Sequence, residues 1–342
     1  LQETCDAIHS RSKEIEQHII KNWNDASDSK QYGRLVNMVA QYGAATNQKN
    51  VTIPKPCMII ASADHGVADM GVSAYPKETT VGMTQNYLIP KGGGANSLAN
   101  YCGATMEVID MGIDADMSWV PGLRSHKLGM GTKNFVEEPA MTREQAIEGI
   151  ETGIKLVQEK MADGYNVFLV GEMGISNTTA SALMTAKFAG LTAEEATGRG
   201  TNISDERLKL KQRIVHDVLV KYKDIPKDDA IGILAAVGGF EFTCIVGVIL
   251  GAAAHHGMVI IDGFNTSACA LVAKTLVPQA MDYVMASHLS AEKAAKSSLE
   301  NLGLEAYVDL GLCLGEASGG SIQMGMLDLA VHMYLAVTGG KA

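Results

Sequence analysis

Five short apolar runs recur along the chain, and each is followed by a glycine or a turn. The runs are CMIIASADHG, MEVIDMGID, NVFLVGEMG, MVIIDGFN and YVMASHLS. Runs that are apolar throughout, without polar alternation, are typical of strands covered on both faces, as in a parallel sheet. The pattern therefore predicts a buried parallel sheet.

Helical periodicity fills the segments between these runs. In MTREQAIEGIETGIKLVQEKMADG, Thr142 and Gln145 have the spacing of a capping box. One apolar stripe follows at Ile147, Ile150, Ile154, Val157 and Met161. Alternation of strand and helix predicts an α/β fold with a doubly wound, mainly parallel sheet, whose ligands bind beyond the carboxyl ends of the strands.

The two ends of the chain have a different, mostly helical pattern. Helices are expected at 4–22, 30–45, 291–301 and 319–338. Each end has too little core of its own, so we expect residues 1–45 and 291–342 to form one small helical domain. Residues 46–290 would form a large Rossmann-like α/β domain, and Glu316 would lie at the junction.

Charge and composition exclude several classes of function. With 28 Lys and Arg against 38 Asp and Glu, the net charge is −10, and the chain has no basic cluster that would contact nucleic acid. Six cysteines without a CxxC pair argue against a zinc knuckle and a disulfide framework. The N-terminal segment lacks the order of a signal peptide, and the longest apolar stretch, 243–264, reads as a buried helix leading into a strand. We expect a cytoplasmic protein with no membrane partner.

A candidate anion site follows the third apolar run, in GEMGISNTT. Gly174 permits a close approach, and Asn177 and Thr178 open a helix. A helix start offers unpaired N–H groups and a positive dipole end. Ordinary helix capping is the competing explanation for such residues.

Asp64 and His65 stand at the end of the first run. His65 is either a general base or a hydrogen-bonded structural residue, and the second interpretation is preferred. No third ligand stands at a readable spacing, so no metal is expected. KGGGAN lacks the ending of a P-loop and no GxGxxG occurs, which disfavours ATP binding and a dinucleotide-dependent oxidoreductase.

Glu316 lies between an apolar run and glycines, in LGLCLGEASGG. Two explanations are open from the residues alone. The carboxylate is a catalytic base, or it holds the N–H groups of a helix across the domain junction.

A set of motifs, in this order, resembles one enzyme family: ADHGV…YPKE, GE-G-xNTT, GRGTN, VGGFE, DGF, SHLSAEK and LGEASG. The family is the nicotinate-nucleotide:dimethylbenzimidazole phosphoribosyltransferases of cobamide lower-ligand synthesis, and the resemblance covers residues 33–337. It implies transfer of phosphoribose from nicotinate mononucleotide to an aromatic acceptor, with inversion to an α-glycosidic bond. Because the leaving ring departs neutral, no metal or other cofactor is implied. The first 30 residues differ, with DSKQYGRL where the family has KPxGSLGRL.

The resemblance also implies roles for particular residues. Glu316 matches the catalytic glutamate of the LGE motif, and Glu172 matches a second carboxylate near the site. The implied contacts to the phosphate and ribose are Gly174, Asn177, Thr178, Lys211, Gly263, Ser290 and Gly315.

The acceptor pocket departs from the family pattern. Members that use dimethylbenzimidazole resemble SPKExTxxxQ, whereas this chain has Tyr75 and Met83 at the serine and glutamine positions, and Met173 where leucine is usual. A phenol has a single polar atom and suits such an apolar pocket, so we hypothesise a phenol- or p-cresol-activating enzyme. A pocket that still takes benzimidazole is the alternative.

That branch of the family works as a complex of two related subunits, whereas the benzimidazole enzymes are homodimers. The chain keeps Glu316, which resembles the active subunit. We therefore expect a dimer, either a homodimer or a heterodimer with a related chain. A non-catalytic partner subunit is the second alternative.

Overall fold

The computed structural model describes residues 1–340 and contains one six-stranded sheet. The strands are β1 (Pro56–Ala63), β2 (Thr105–Gly112), β3 (Arg124–Ser125), β4 (Val167–Met173), β5 (Met258–Ile261) and β6 (Val284–Ala286). They pair in the order β3-β2-β1-β4-β5-β6, and every pair is parallel. The predicted α/β parallel sheet is confirmed, and each apolar run forms a strand. The two-residue β3 was not predicted, because it lacks an apolar run.

The sheet reverses its winding between β1 and β4, which are neighbours in space although β2 and β3 follow β1 in the chain. Ala61 is paired with Glu172 and Ser62 with Met173. In a doubly wound sheet, ligands bind in the crevice at this reversal, beyond the carboxyl ends of the strands. The topology therefore predicts a ligand site among the residues that follow β1 and β4.

Helices cover both faces of the sheet. They are α1 (Gln2–Ala7), α2 (Lys13–Ala26), α3 (Arg34–Ala45), α4 (Thr79–Leu88), α5 (Gly93–Tyr101), α6 (Arg143–Ala162), α7 (Asn177–Ala189), α8 (Ala193–Ala196), α9 (Asp205–Lys221), α10 (Ala230–Val237), α11 (Phe240–Ala254), α12 (Phe264–Leu276), α13 (Ala295–Leu302) and α14 (Ser318–Thr338). Short 3-10 helices span Ser29–Tyr32, Gly66–Met70 and Pro278–Tyr283.

Helix α6 begins with the predicted capping box, in which Thr142 accepts from the Gln145 N–H and the Gln145 side chain accepts from the Thr142 N–H. It packs closely on α11, because an added Cβ at Gly153 would lie 2.1 Å from the Cys244 carbonyl oxygen. The apolar stretch 243–264 is a buried helix that leads into β5, as expected. None of the helices in the described part of the chain combines the length and apolar character that crossing a membrane requires.

The terminal helices α2, α3 and α14 pack on one another. The expected helix over 4–22 is wrong in one respect, because it is interrupted after Ala7 and restarts after Ser12, whose hydroxyl accepts from the Ile15 N–H. Helix α13 packs against α12 and α7 of the α/β part. One hydrophobic core includes residues of the terminal helices and of the strands, and the division into two domains stays a prediction. Residues 341 and 342 of the expected small domain lie outside the described residues.

Candidate active site

Glu316 lies just before the first turn of α14, in a loop that packs against the carboxyl ends of β4 and β5. Glu316 and Ala317 both have left-handed backbone angles, with φ of 60° and 59°. The Glu316 side chain is buried at 8% exposure. Burial raises the pKa of its carboxyl, a nearby Tyr87 hydroxyl lowers it, and the charge of Asp262 raises it. Such a carboxyl is more basic than an exposed one.

Two glycines allow this close approach. An added Cβ at Gly171 of β4 would lie 2.6 Å from the backbone nitrogen of Ala317, so the strand and the loop fit only without a side chain there. Gly315 has φ of 84°, and a Cβ at that position would lie 3.0 Å from the Glu172 carboxylate. The glycines thus bring the loop that carries Glu316 against the Glu172 carboxylate of β4.

Asp262, directly after β5, holds the start of α14. Its buried carboxylate accepts from the N–H groups of Gly319 at 2.7 Å and Gly320 at 3.2 Å. Burial raises the pKa of Asp262, and the neighbouring His288 and these N–H groups lower it. One explanation offered for Glu316, a carboxylate that holds helix N–H groups, therefore describes Asp262. No N–H group of the described residues donates to the Glu316 carboxylate within hydrogen-bond distance, which leaves that carboxylate free to act on a ligand.

Glu172 is embedded in a buried chain of amides. The Asn177 side chain donates to Glu172, Asn265 donates to Asn177 at 3.0 Å, and Ser181 donates to Asn265 at 2.7 Å. Burial raises the pKa of Glu172 to about 7, although the amides of Asn265 and Asn177 lower it. Glu172 therefore exchanges its proton near neutral pH.

His65 forms a fully buried pair with Glu241 of α11, with 2.7 Å between Nε2 and Oε1. Burial disfavours the charged ring, but the Glu241 carboxylate outweighs this effect and raises the pKa of His65. Asn177 also donates to Glu241, at 3.4 Å. This pair anchors the ends of β1 and β4 to α11, which agrees with the structural interpretation of His65.

Lys211 and Thr178 form the cationic part of the site. Lys211 is 1% exposed and donates from Nζ to the Thr178 hydroxyl at 2.8 Å. Burial lowers the pKa of Lys211 to about 8, with the charge of Glu292 opposing this effect. Helix α7 starts beside them without a side-chain cap. Its Asn177 and Thr179 N–H groups donate to the carbonyl oxygens of Gly174 and Ser176, and the positive end of the helix dipole favours a bound anion. A phosphate bound here would offset the desolvation of the ammonium.

Gly263 and Ser290 meet at the ends of β5 and β6. A Cβ added at Gly263 would lie 3.6 Å from the Ser290 hydroxyl oxygen. That hydroxyl accepts from the Glu292 N–H at 3.3 Å, and the Glu292 carboxylate in turn accepts from the Gly200 N–H at 2.9 Å. Because Gly200 also adjoins Thr178 and Lys211, Gly263 and Ser290 are linked to the cationic group.

The residues predicted for the acceptor pocket differ in their burial. Met173 ends β4, in register with Ser62 of β1, and is partly buried. Met83 is partly buried on α4, one turn before Tyr87, so both side chains lie on the same helix face. Tyr75 is 57% exposed in this chain.

Sequence reasoning missed four of the residues described above: Tyr87, Glu241, Asp262 and Asn265. Asp262 and Glu241 stand within the DGF and VGGFE motifs, which gave a usable signal. Tyr87 and Asn265 lie in helices without any local sign of a site.

A separate cavity of about 640 Å³ lies at the ends of β1 and β2, between Asp64, Lys77, Asp114 and Lys133. It contains none of the predicted site residues except the turn of Asp64 and His65. Among residues 1–340, no cluster of three or more His, Cys, Asp or Glu side chains has an arrangement that could hold a metal ion.

Comparisons with known proteins point to one family. The family model DBI_PRT, described as phosphoribosyltransferase, matches residues 8–340. A nicotinate-nucleotide–dimethylbenzimidazole phosphoribosyltransferase of Geobacter metallireducens is 43% identical over 302 residues, covering 88% of this chain and 85% of the relative. Its namesake from Chloroflexus aggregans is 41% identical over 299 residues, covering 87% and 84%. The crystal structure of CobT from Thermus thermophilus superposes with a TM-score of 0.89 at 31% identity, covering 96% of this chain and 99% of that one.

Proposed function

Because the chain belongs to this phosphoribosyltransferase family, we propose that it moves the 5-phosphoribosyl group from nicotinate mononucleotide to a phenolic acceptor, phenol or p-cresol, in cobamide synthesis. Membership itself establishes an enzyme of the nicotinate-nucleotide:base type. The observation that carries the proposed mechanism is the buried carboxylate of Glu316, which accepts no hydrogen bond from a backbone N–H group of the described residues and whose loop lies against Glu172.

The proposed donor site is the group formed by Lys211, Thr178 and the start of α7. Lys211 and the positive end of the α7 dipole would neutralise the phosphate, and we assign the ribose contacts to the Asn177 amide and the Ser290 hydroxyl. Gly263 and Gly315 would let the sugar approach the backbone. Gly174 instead allows close packing, because a Cβ there would lie 2.6 Å from the Ala63 carbonyl oxygen. Nicotinate then lies toward the carboxylate pair.

In the proposed reaction, the acceptor oxygen attacks the anomeric carbon from the face opposite nicotinate. The bond between carbon and the pyridinium nitrogen breaks, its electron pair neutralises that nitrogen, and the configuration inverts to α. The acceptor proton passes to Glu316. Since the leaving ring already carries a positive charge, the step needs neither a metal nor another cofactor, and activity in the presence of EDTA tests this.

A base is essential for a phenol, whose pKa is near 10, because few molecules are ionised at neutral pH. Burial raises the pKa of Glu316 and so makes it a better proton acceptor than an exposed carboxylate. General base catalysis of this kind typically contributes a factor of about 10² to 10⁴.

The acceptor is assigned from two thioethers. Met173 at the end of β4 and Met83 on the helix face of Tyr87 would line the acceptor pocket with polarisable, apolar groups that pack against a ring. Neither can pair with the second ring nitrogen of a benzimidazole. The printed names of the relatives favour dimethylbenzimidazole, which is therefore the alternative acceptor.

Tyr75 is 57% exposed, in a loop whose Ala74 N–H donates to the Thr201 hydroxyl, and a second subunit could bury it. We propose that the chain is the catalytic subunit of a dimer, with either an identical or a related partner. A non-catalytic role for this chain is contradicted if its Glu316→Gln variant inactivates the assembled enzyme.

The deciding experiment is a competition among phenol, p-cresol and 5,6-dimethylbenzimidazole with nicotinate mononucleotide, followed by mass spectrometry of the ribotide products. We expect phenolic products in excess, in the chain alone or with a co-purified partner. Conversion of the benzimidazole alone refutes the acceptor assignment but leaves the reaction class intact. Absence of nicotinate release with every acceptor refutes the reaction.

A further inference from the structure

Tyr87 has a buried hydroxyl group without a hydrogen-bond partner among the described residues. The residue lies on α4, and its side chain is 1% exposed within the main hydrophobic core. The Asn96 side chain of α5 donates to the Tyr87 carbonyl oxygen at 2.9 Å and so fixes this turn of the helix. A buried hydroxyl without a hydrogen-bond partner lowers the stability of the fold, so we expect this hydroxyl to have a partner in the working enzyme.

The charges of Glu316 and Glu172 both act on this hydroxyl. The loop that carries Glu316 also packs near the start of α5, where Leu314 is 3.8 Å from the position of a Cβ on Gly94. Helix α5 therefore lies beside the loop that carries Glu316 and packs against α14, and α4 packs against both α5 and β4.

We propose that Tyr87 is the positioning residue for the base: its hydroxyl donates to one oxygen of the Glu316 carboxylate and leaves the other oxygen for the acceptor. This inference rests on the proposed function, because it concerns how the base of that reaction is oriented. Catalytic hydrogen bonds are often long in unliganded enzymes and tighten when the substrate is bound. The unpaired hydroxyl is consistent with such a bond before it tightens.

Tyr87 keeps its own proton throughout. Burial and the charges of Glu316 and Glu172 raise the pKa of its hydroxyl well above the usual range, so it acts only as a donor. Donation to a carboxylate stabilises the ionised form. The Tyr87 hydroxyl accordingly lowers the pKa of Glu316, against burial and the charge of Asp262, which raise it. Glu172 faces the same space from β4.

The test compares wild type with Tyr87→Phe, which keeps the ring and removes only the hydroxyl. Tyr283→Phe is the matched control, since Tyr283 is also fully buried and donates instead to the His9 carbonyl oxygen at 2.9 Å. Two quantities are measured. The first is kcat/KM against pH with the preferred acceptor, and the second is the titration of Glu316 by NMR of protein carrying ¹³C-labelled glutamate, assigned with Glu316→Gln.

We expect the acid limb of the profile to move to higher pH in Tyr87→Phe, with roughly a tenfold loss at the acidic end and much less at the alkaline end. The carboxyl resonance of Glu316 should titrate at a higher pH than in wild type. Tyr283→Phe should leave both quantities unchanged.

An unchanged Glu316 titration in Tyr87→Phe overturns the inference, as does a loss of activity that is equal at every pH. The NMR titration does not depend on turnover. If wild type releases no nicotinate, the proposed function fails, while the NMR result still decides whether Tyr87 controls the Glu316 carboxyl.

Discussion

The carboxylate of Asp262 accepts a hydrogen bond from the Gly319 N–H at 2.7 Å, three residues after Glu316. This contact ties the first turn of α14 to the end of β5. Because Glu316 precedes that turn, the sheet itself fixes where the carboxylate stands. The precision of the site thus depends on a residue that need not touch a substrate.

Replacing Asp262 with Ala should therefore affect both stability and turnover. Two buried N–H groups at the start of α14 would lose their acceptor, which is typically worth about 1–3 kcal/mol. We expect a lower free energy of unfolding in urea and a fall in kcat that exceeds any change in KM for nicotinate mononucleotide. Unchanged kcat would contradict the positioning role.

Glu316→Gln should remove catalysis while leaving the fold intact. The amide has the shape of the carboxylate but cannot take a proton, so we expect a loss in kcat of about 10² to 10⁴. Calorimetric titration should still detect nicotinate mononucleotide, because its proposed phosphate contacts at Lys211 and Thr178 are unchanged. A variant that retains full activity would exclude Glu316 as the base.

Lys211→Met should remove a pH dependence of stability. Burial lowers the pKa of Lys211 to about 8, whereas the unfolded residue titrates at 10.5. Between these values the unfolded chain binds more protons, so the wild-type free energy of unfolding should rise with pH across this window, by roughly 3 kcal/mol from this residue. Urea denaturation at pH 7.5 and pH 10 should show this rise in wild type relative to the variant. The variant should also have a higher KM for nicotinate mononucleotide.

Glu172→Gln should remove a pH dependence of stability that has the opposite sign. The pKa of Glu172 is raised to about 7 from 4.5, so the folded protein binds more protons between these values. The wild-type free energy of unfolding should fall from this residue as pH rises from 4.5 to 7, and the loss should persist above pH 7. The amide variant should therefore gain stability relative to wild type at pH 8 but not at pH 4.5, as measured by urea denaturation. Equal differences at both pH values would argue against a raised pKa.

Met83→Gln should change the acceptor preference. An amide beside the acceptor pocket can pair with the second nitrogen of a benzimidazole, so we expect kcat/KM for dimethylbenzimidazole relative to p-cresol to rise by about tenfold. Met130→Gln is the control, because Met130 is 56% exposed and borders the separate cavity at β1 and β2. An unaltered ratio in Met83→Gln would count against this wall of the pocket.

The strands of the sheet and their burial on both faces could be predicted because the evidence for them is local. Each apolar run is a strand, and the Thr142 capping box marks the start of α6. The break at residues 8–12 and the strand at Arg124–Ser125 were missed, since neither has a periodic apolar signal. Helix α13 was assigned to the terminal domain from its place in the chain, but its packing partners α7 and α12 are set by the fold.

For the site, the motifs indicated which residues matter but not which task each performs. Glu316 and Asp262 are both acidic residues next to glycines, and only the structure shows that Asp262 accepts from the helix N–H groups. The Tyr87 hydroxyl lowers the pKa of Glu316 across a large sequence separation, so no local pattern could reveal this relationship. Polar partners joined by the fold alone remain invisible to periodicity.

The absence of a side chain at Gly171 determines how closely the loop that carries Glu316 can approach β4. A methyl group there would lie 2.6 Å from the Ala317 nitrogen, closer than side-chain atoms normally approach backbone. The loop would have to retreat by a good part of an ångström, and misplacement of about 1 Å can reduce a rate by about 10²-fold. In a library of variants selected in cells whose growth requires the cobamide made by this enzyme, only glycine should survive at position 171. Neighbouring positions of the strand should tolerate other residues.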